Sequence, residues 1–558
     1  MARVNILPPE IVSKIAAGEV VERPASVAKE FIENSLDAEA DSIELTLKDA
    51  GRTLLKIKDN GTGIDADDLQ KIFLRHSTSK ISSLDDLFKI GSLGFRGEAL
   101  YSIAAISDIS LKTKSEKDDT GWLIHLRGSE QIELKPSSIT KGTEIEVKEL
   151  FFNTPARRKF LKSNTTELKQ IVNVFTPYAL LHYNKDFKLI NNNKTIFELN
   201  KHKSIAQRIA KTLNLSEEHI IETYKEIPEE NLSLHLLLGD INIQRPRKDL
   251  QYIFINNRPV SNRSISFHMN NIYKLLFPEG THPVFLINLK IPAENIDANI
   301  HPTKREVKIK NENVICSILR HFTENTLMTE GKPKQINRVF IDKPISQIAD
   351  IHKTENKPFQ SAPYKSNFNR QVNSTSYPIT RKFENPPNER ERFAQRLLFD
   401  SETHLSEENA ISTNKHKDLK TKLISSRFVG NFINKYLIFE TENSLILIDQ
   451  HAAQERINFE KLTIQIESGN IEIQNLLSPL TLSLSKEELI TWEETKDSLE
   501  KIGFSTTLWK DDNIALHSHP NLITNPEKSL RNILADIETK SFDPESLARR
   551  ACRSSIMA

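Results

Sequence analysis

The chain has 558 residues, 27% of them charged and 38% hydrophobic, with a formal net charge of +1. That length suggests three or four domains of ordinary size, and the near-zero charge excludes bulk attraction to nucleic acid, leaving only local basic patches for such contact. The two cysteines, Cys316 and Cys552, exclude a disulfide framework and suit a reducing cytoplasm. No apolar run approaches the roughly 18 residues of a membrane span, and MARVNILPPEIVSK lacks the apolar centre of a secretory signal.

In chain order, the first informative stretch is KEFIENSLDA (29–38). Its apolar spacing predicts a helix, and Glu30 and Asn34, four residues apart, project from one face. A carboxylate there can act as general base towards a water. The neighbouring amide oxygen can take one position on Mg²⁺, a hard ion that prefers oxygen. The alternating LLKIKD predicts a strand ending at Asp59, which enters the turn DNGTG (59–63). An Asp at a strand end can accept from an exocyclic amine such as adenine's, and Gly61 and Gly63 let backbone approach a ring closely. GSLGFRGEA (91–99) precedes a helical run, EALYSIAAI, whose first N–H groups suit phosphate. KGTEI (141–145) completes the set. Alone, an E-x-x-x-N pair is a solvated face, DNGTG a turn and GSLGFRG a loop. In this order and spacing they describe an ATP site, and one without a P-loop, since G-x-x-x-x-G-K-[ST] does not occur.

Further along, FKLINNNKTIFEL (187–199) predicts a hairpin about an Asn-rich turn. YIFINNRPV, NRSISFHMNNIYKLLF and VFLINLKI predict strand, helix and strand, a βαβ unit of conventional crossover. From 331 to 420 Pro, Asn, Ser, Thr and Lys dominate, too polar to offset chain entropy by burial, so a disordered linker is expected. YLIFETENSLILIDQHAAQERINFEKL predicts two strands and a helix.

The motifs IAAGEVVERPASVAKEFIENSLDA (15–38), RHSTSKI (75–81), GFRGEAL (94–100), FFNTPARRKFL (151–161), FINNRPV (254–260) and HPTKREV (301–307) resemble those of the GHKL ATPases. Within that group they resemble the MutL family of DNA mismatch-repair proteins. The resemblance spans most of residues 1–330. It implies an α/β multi-domain chain: a GHKL (Bergerat) α/β sandwich over 1–204, a βαβ transducer domain over 205–330, the linker over 331–420, and an α/β C-terminal dimerisation domain over 421–558. It makes Glu30 the general base, Asn34 the ligand of the Mg²⁺ that accompanies ATP, and Asp59 the adenine reader. Thr78 and Ser79 would lie in a nucleotide lid. Ala38, Gly94, Phe95, Arg96, Gly97 and Thr143 fall where the family contacts nucleotide, and Lys304 matches the lysine that reaches the γ-phosphate from the second domain. The expected protein is a cytoplasmic, nucleoid-associated homodimer with no membrane partner. It would couple a MutS-type mismatch sensor to strand incision through ATP-driven N-terminal dimerisation.

DQHAAQERINFE (449–460) fits the pattern of endonuclease-type members. Asp449 and His451 stand two apart at a strand end, and a helix from His451 puts Glu455 about 40° from it, so the three can converge on one ion. Glu460, about 140° from Glu455, is a poorer ligand. Mixed N/O ligation suits Zn²⁺ or Mn²⁺; the competing reading is a capped, salt-bridged helix. After RRACRSSIMA (549–558) the family's later strands and C-x-H-G-R-P motif do not follow, so the chain is expected to be C-terminally incomplete. QNLLSP (474–479), with Gln474, Leu477 and Pro479, falls where the family binds a sliding clamp, and QRLLF (395–399) resembles a separate clamp peptide. Arg157, Arg158 and Lys159, and the run QRPRKDL (244–250), are expected DNA phosphate contacts or solvated faces. Two alternatives stand beside this reading: a non-nucleolytic ATP-switched matchmaker, and another GHKL machine such as a type II topoisomerase subunit.

Overall fold

The computed structural model describes residues 21–78, 97–245, 247–274, 276–277, 281–297, 307–329, 423–433, 435–441, 444–510, 512–534 and 551. The chain divides into two compact units, Met1–Ile348 with Ile457–Ala558, and Ala349–Arg456.

Helix α1 (Pro24–Asp37) starts on a proline, whose fixed φ favours the first helical turn. It buries Val27, Ala28, Phe31, Ile32, Ser35 and Leu36 along one side. Strands β1 (Ser42–Lys48) and β2 (Leu54–Asp59) follow, antiparallel, with Leu55 and Ile57 turned inward. Helix α2 (Ala99–Ala105) leads into β3 (Asp108–Lys114), β4 (Gly121–Arg127), β5 (Glu130–Ser137) and β6 (Gly142–Lys148). A short basic helix α3 (Pro155–Phe160) precedes α4 (Asn164–Leu181), whose start is capped by Ser163. The hairpin β7 (Asp186–Asn191) and β8 (Lys194–Leu199) turns at Asn192 and Asn193, both at positive φ, which asparagine tolerates. The eight strands form one sheet, order β5-β4-β3-β6-β2-β1-β7-β8, with β1 and β7 parallel. Helices α1 and α4 pack together over it in one apolar core that includes Phe31, Ile32, Ile171, Phe175 and Tyr178. Each such side chain contributes about 1.5–3 kcal/mol on full burial.

Helix α5 (Ile205–Leu213) opens the next part. Strands β9 (Ile220–Ile227), β10 (Leu232–Gly239), β11 (Gln251–Ile255), β12 (Arg258–Val260) and β13 (Phe285–Lys290) make a second sheet, order β12-β11-β13-β10-β9. Strands β11 and β13 are parallel and joined through α6 (Arg263–Tyr273), which is the expected βαβ unit. Helix α7 (Glu312–Thr329) packs on α6.

Within the second unit, β14 (Arg427–Phe432), β15 (Tyr436–Glu440) and β16 (Leu445–Asp449) form an antiparallel meander. Helix α8 (Gln450–Ser468) comes directly after it, so the predicted strand–strand–helix order is found. Phe428, Phe432, Ile433, Leu445 and Leu447 on this meander are exposed.

The remainder of the first unit holds β17 (Ile473–Ser483), α9 (Lys486–Lys501), β18 (Ser505–Leu508), β19 (Asn513–Pro520) and α10 (Pro526–Leu534) around Trp492, Phe504 and Leu516. Ser485 and Glu488 form a reciprocal capping box at the start of α9. Glu488 also meets Arg245 at 3.0 Å and Arg531 at 3.6 Å, all three buried. Asn214, at the end of α5, donates to Ser483 and Asn513 at 3.1 and 3.0 Å. The linker expected over 331–420, with QRLLF, lies outside the described residues.

Candidate functional site

The site forms where α1 ends beside the end of β2. Alternation in LLKIKD puts Leu55 and Ile57 into the core and carries Asp59 to the strand's last position. There Asp59 Oδ2 accepts from the Ser35 hydroxyl at 2.8 Å, and Oδ1 from the Gly61 N–H at 3.0 Å. Thr143 stands opposite Asp59 on the paired strand. Burial raises the Asp59 pKa above its ordinary value, against the influence of Gly61, Ser35 and Thr143, which lower it. A carboxylate offers about four acceptor positions, more than the Ser35 and Gly61 bonds among the described residues use.

Around it the backbone is closely set. The Ala38 N–H donates to the Asn34 carbonyl at 2.9 Å, and the Ala38 carbonyl accepts from Thr62 at 3.0 Å. Gly63 has φ +74°, and a Cβ there would stand 2.1 Å from the Lys114 carbonyl oxygen. Thr113 on β3 meets the Thr143 hydroxyl at 3.2 Å and accepts from the Ile64 N–H at 2.9 Å. Glu30 and Asn34 share the half-buried side of α1, one turn apart. Gly97 has φ +61° and packs on Ser77, with room for no Cβ: it would lie 2.5 Å from the Ser77 carbonyl oxygen. That contact sets half-buried Thr78 near the start of α2.

Thus Asn34, Ala38, Asp59, Gly61, Gly63 and Thr143 come together, with Gly97 and Thr78 on the α2 side. Ser79, Gly94, Phe95, Arg96 and Lys304 lie outside the described residues. Sequence reasoning passed over Ser35 and Thr113 as site residues. The signal was there in each case: a small polar residue at an inward position of an apolar helix or strand.

At the other sites, Asp449 ends β16, and its Oδ1 accepts the Ala452 N–H at 3.2 Å, a helix-start cap. His451 and Glu455 lie on α8, their side chains outside the described set. Among the described residues no group of three His, Cys, Asp or Glu can hold a metal. In β17 the register shifts between Asn475 and Leu480, leaving Leu477 fully exposed and Gln474 and Pro479 exposed beside it. Arg158 and Lys159 are exposed on α3; Arg157 is half-buried, and its Nη1 finds no hydrogen-bond partner among the described residues. No described helix is long and apolar enough to cross a membrane.

Three family models match the chain. One described as histidine kinase-, DNA gyrase B- and HSP90-like ATPase covers residues 22–151. One described as DNA mismatch repair protein, C-terminal domain, covers 209–328, and the MutL C-terminal dimerisation domain covers 429–558. DNA mismatch repair protein MutL of Endomicrobium trichonymphae is 35% identical over 100% of this chain and 92% of its own length. Its counterpart in Clostridium acetobutylicum is 33% identical, with the same coverage of both. The solved Aquifex aeolicus MutL ATPase domain complexed with ADP aligns at TM-score 0.41 and 25% identity over 57% of this chain and 100% of that one. The chain therefore belongs to the MutL family of DNA mismatch-repair proteins, with a GHKL-type ATPase module in its N-terminal part.

Proposed function

We propose that this chain is the ATP-switched coordinator of mismatch repair. The observation that carries the proposal is the buried Asp59 carboxylate, held by Ser35 and Gly61 opposite Thr143, beside the α1 face that bears Glu30 and Asn34. Asp59 would read the adenine amine, Asn34 would hold Mg²⁺ with ATP, and Glu30 would take the proton of the attacking water. Thr78, Ser79, Gly94, Phe95, Arg96 and Gly97 would close over the phosphates, and Lys304 would meet the terminal phosphate from the second domain. Two N-terminal modules would then dimerise on ATP. The matched C-terminal dimerisation domain supports a homodimer, and the exposed Phe432, Leu445 and Leu447, which the strand register puts on one side of the meander, supply an apolar face for a second copy.

A MutS-type sensor upstream, DNA phosphates on Arg157, Arg158 and Lys159, and a sliding clamp on Gln474, Leu477 and Pro479 complete the cytoplasmic assembly. Full exposure of Leu477 supports the clamp element, because a peptide anchor must be free to enter a pocket. Replacing Glu30 with Ala tests the ATPase reading: hydrolysis should fall by about 10²–10⁴ while ATP binding persists. Unchanged turnover would remove Glu30 from the mechanism.

For strand incision, Asp449, His451 and Glu455 would hold Zn²⁺ or Mn²⁺ with open positions for catalysis. The helix cap made by Asp449 favours a second reading, a matchmaker without nuclease activity. Nicking of supercoiled DNA with Mn²⁺, lost in Glu455→Ala, supports the first; no nicking supports the second.

A further inference from the structure

Helix α1 carries a second carboxylate that nucleotide chemistry does not use. Glu33 is 3% exposed, and Tyr178, reaching it from α4, is 1% exposed. The Tyr178 hydroxyl donates to Glu33 Oε1 at 2.5 Å, and Lys29 Nζ lies 3.8 Å from the same oxygen. A buried carboxylate is costly without such partners. Helical residues turn by about 100° each, so Glu33 lies about 60° to one side of Glu30 and Asn34 about 40° to the other. One short stretch of helix therefore bears the two nucleotide-facing groups and, beside them, a buried anchor on α4. Burial keeps the Tyr178 hydroxyl protonated; the Glu33 and Glu30 charges reinforce this, and the Arg258 charge on β12 opposes it. The hydroxyl is thus a permanent donor, and it feels a charge from the second sheet.

We propose that Tyr178 is a positioning residue for ATP hydrolysis: its hydrogen bond to Glu33 pins the rotation of α1 and so the aim of Glu30. The proposal rests on the reading of Glu30 as the base. A rotation of about 10° carries a carboxylate some 6 Å from the helix axis through about 1 Å, and a misplacement of that size costs on the order of 10²-fold in rate. The adenine contact at Asp59 belongs to β2 and is held from the Gly61 turn as well as by Ser35, and the shorter side chains of Ser35 and Asn34 sit closer to the helix axis, so the same rotation displaces them less than it displaces the Glu30 carboxylate.

The test uses the full chain and three readouts: steady-state ATP hydrolysis, calorimetric affinity for a non-hydrolysable ATP analogue, and thermal unfolding. Tyr178→Phe should lower kcat roughly tenfold or more with analogue affinity within about twofold. Glu33→Gln, which keeps an acceptor of the same shape, should stay within about threefold of the parent kcat. Parental kcat in Tyr178→Phe, or a kcat loss matched by loss of affinity or of folded protein, overturns the proposal. Should Tyr178→Phe fail to fold, Tyr178→Phe/Glu33→Leu removes both polar groups together and must show the same isolated kcat loss; unimpaired kcat there overturns it equally. Glu30→Ala, measured alongside, separates the two readings. Surviving hydrolysis in that variant defeats the base assignment itself, whereas its loss together with an unaffected Tyr178→Phe defeats only the positioning role.

Discussion

Ser35 donates its hydroxyl to Asp59 across 24 residues of sequence, at 2.8 Å, and so fastens α1 to the end of β2. Burial raises the Asp59 pKa above 3.8 despite that bond. A carboxylate with a raised folded pKa contributes stability below its unfolded value, and that contribution is lost as pH rises through the folded value. Ionising Asp59 therefore costs folded-state stability. Asp59→Asn should weaken ATP binding by about 1.5–3 kcal/mol without lowering the Tm of the nucleotide-free protein. Equal ATP affinity by calorimetry would sink the adenine assignment.

Gly63 is irreplaceable for a steric reason. Its φ of +74° disfavours any side chain, and a Cβ would press to 2.1 Å from the Lys114 carbonyl oxygen. Gly63→Ala should cost about 1–3 kcal/mol in backbone strain and displace the turn that lines the site. Normal nucleotide affinity and an unchanged Tm in this variant would show that the turn relaxes freely.

His182 closes α4 and should set part of the acid sensitivity. Burial lowers its pKa from 6.5 to about 4, with the Lys185 charge acting in the same direction. Its folded pKa lies below the unfolded one, so the unfolded chain takes up the proton first. Stability is full above pH 6.5 and falls as pH drops towards 4. His182→Gln should remove on the order of 3 kcal/mol of that pH dependence, seen as a smaller drop in unfolding free energy between pH 7 and pH 4.5. Parallel pH profiles for parent and variant would contradict it.

Arg245 and Glu488 stand 243 residues apart and meet at 3.0 Å in a buried cluster with Arg531. Removing one partner of a buried pair costs about 3–5 kcal/mol; because Arg531 remains, Arg245→Ala should fall at the low end. Denaturant unfolding of the parent and Arg245→Ala chains gives the difference. A cost within error of zero would mean that the cluster does not hold these segments together in solution.

Leu447→Asp on β16 should weaken self-association, since Leu447 is exposed beside Leu445 on the meander matched by the dimerisation domain. Sedimentation should show a rise of tenfold or more in the dimer dissociation constant, about 1.4 kcal/mol. An unshifted dimer would move the interface elsewhere.

Local pattern determined a good deal by itself. The period of KEFIENSLDA, the alternation of LLKIKD, the Asn-rich turn at 192–193 and the βαβ order around α6 each depend on which residues face a core, and each is found as read. The glycine turn, the acid at a strand end and the paired polar groups on α1 were legible for the same reason: each is a constraint within a few residues. Left open was which distant residues would meet. Ser35 with Asp59, Thr113 with Thr143, Tyr178 with Glu33 and Arg245 with Glu488 depend on strand register and helix crossing over separations of up to 243 residues. Periodicity assigns a residue to a face but not to a partner. Only packing of α1 and α4 over the sheet turns Glu33 from one more acid on a helix into a buried anchor, because burial there makes polar partners such as the Tyr178 hydroxyl obligatory.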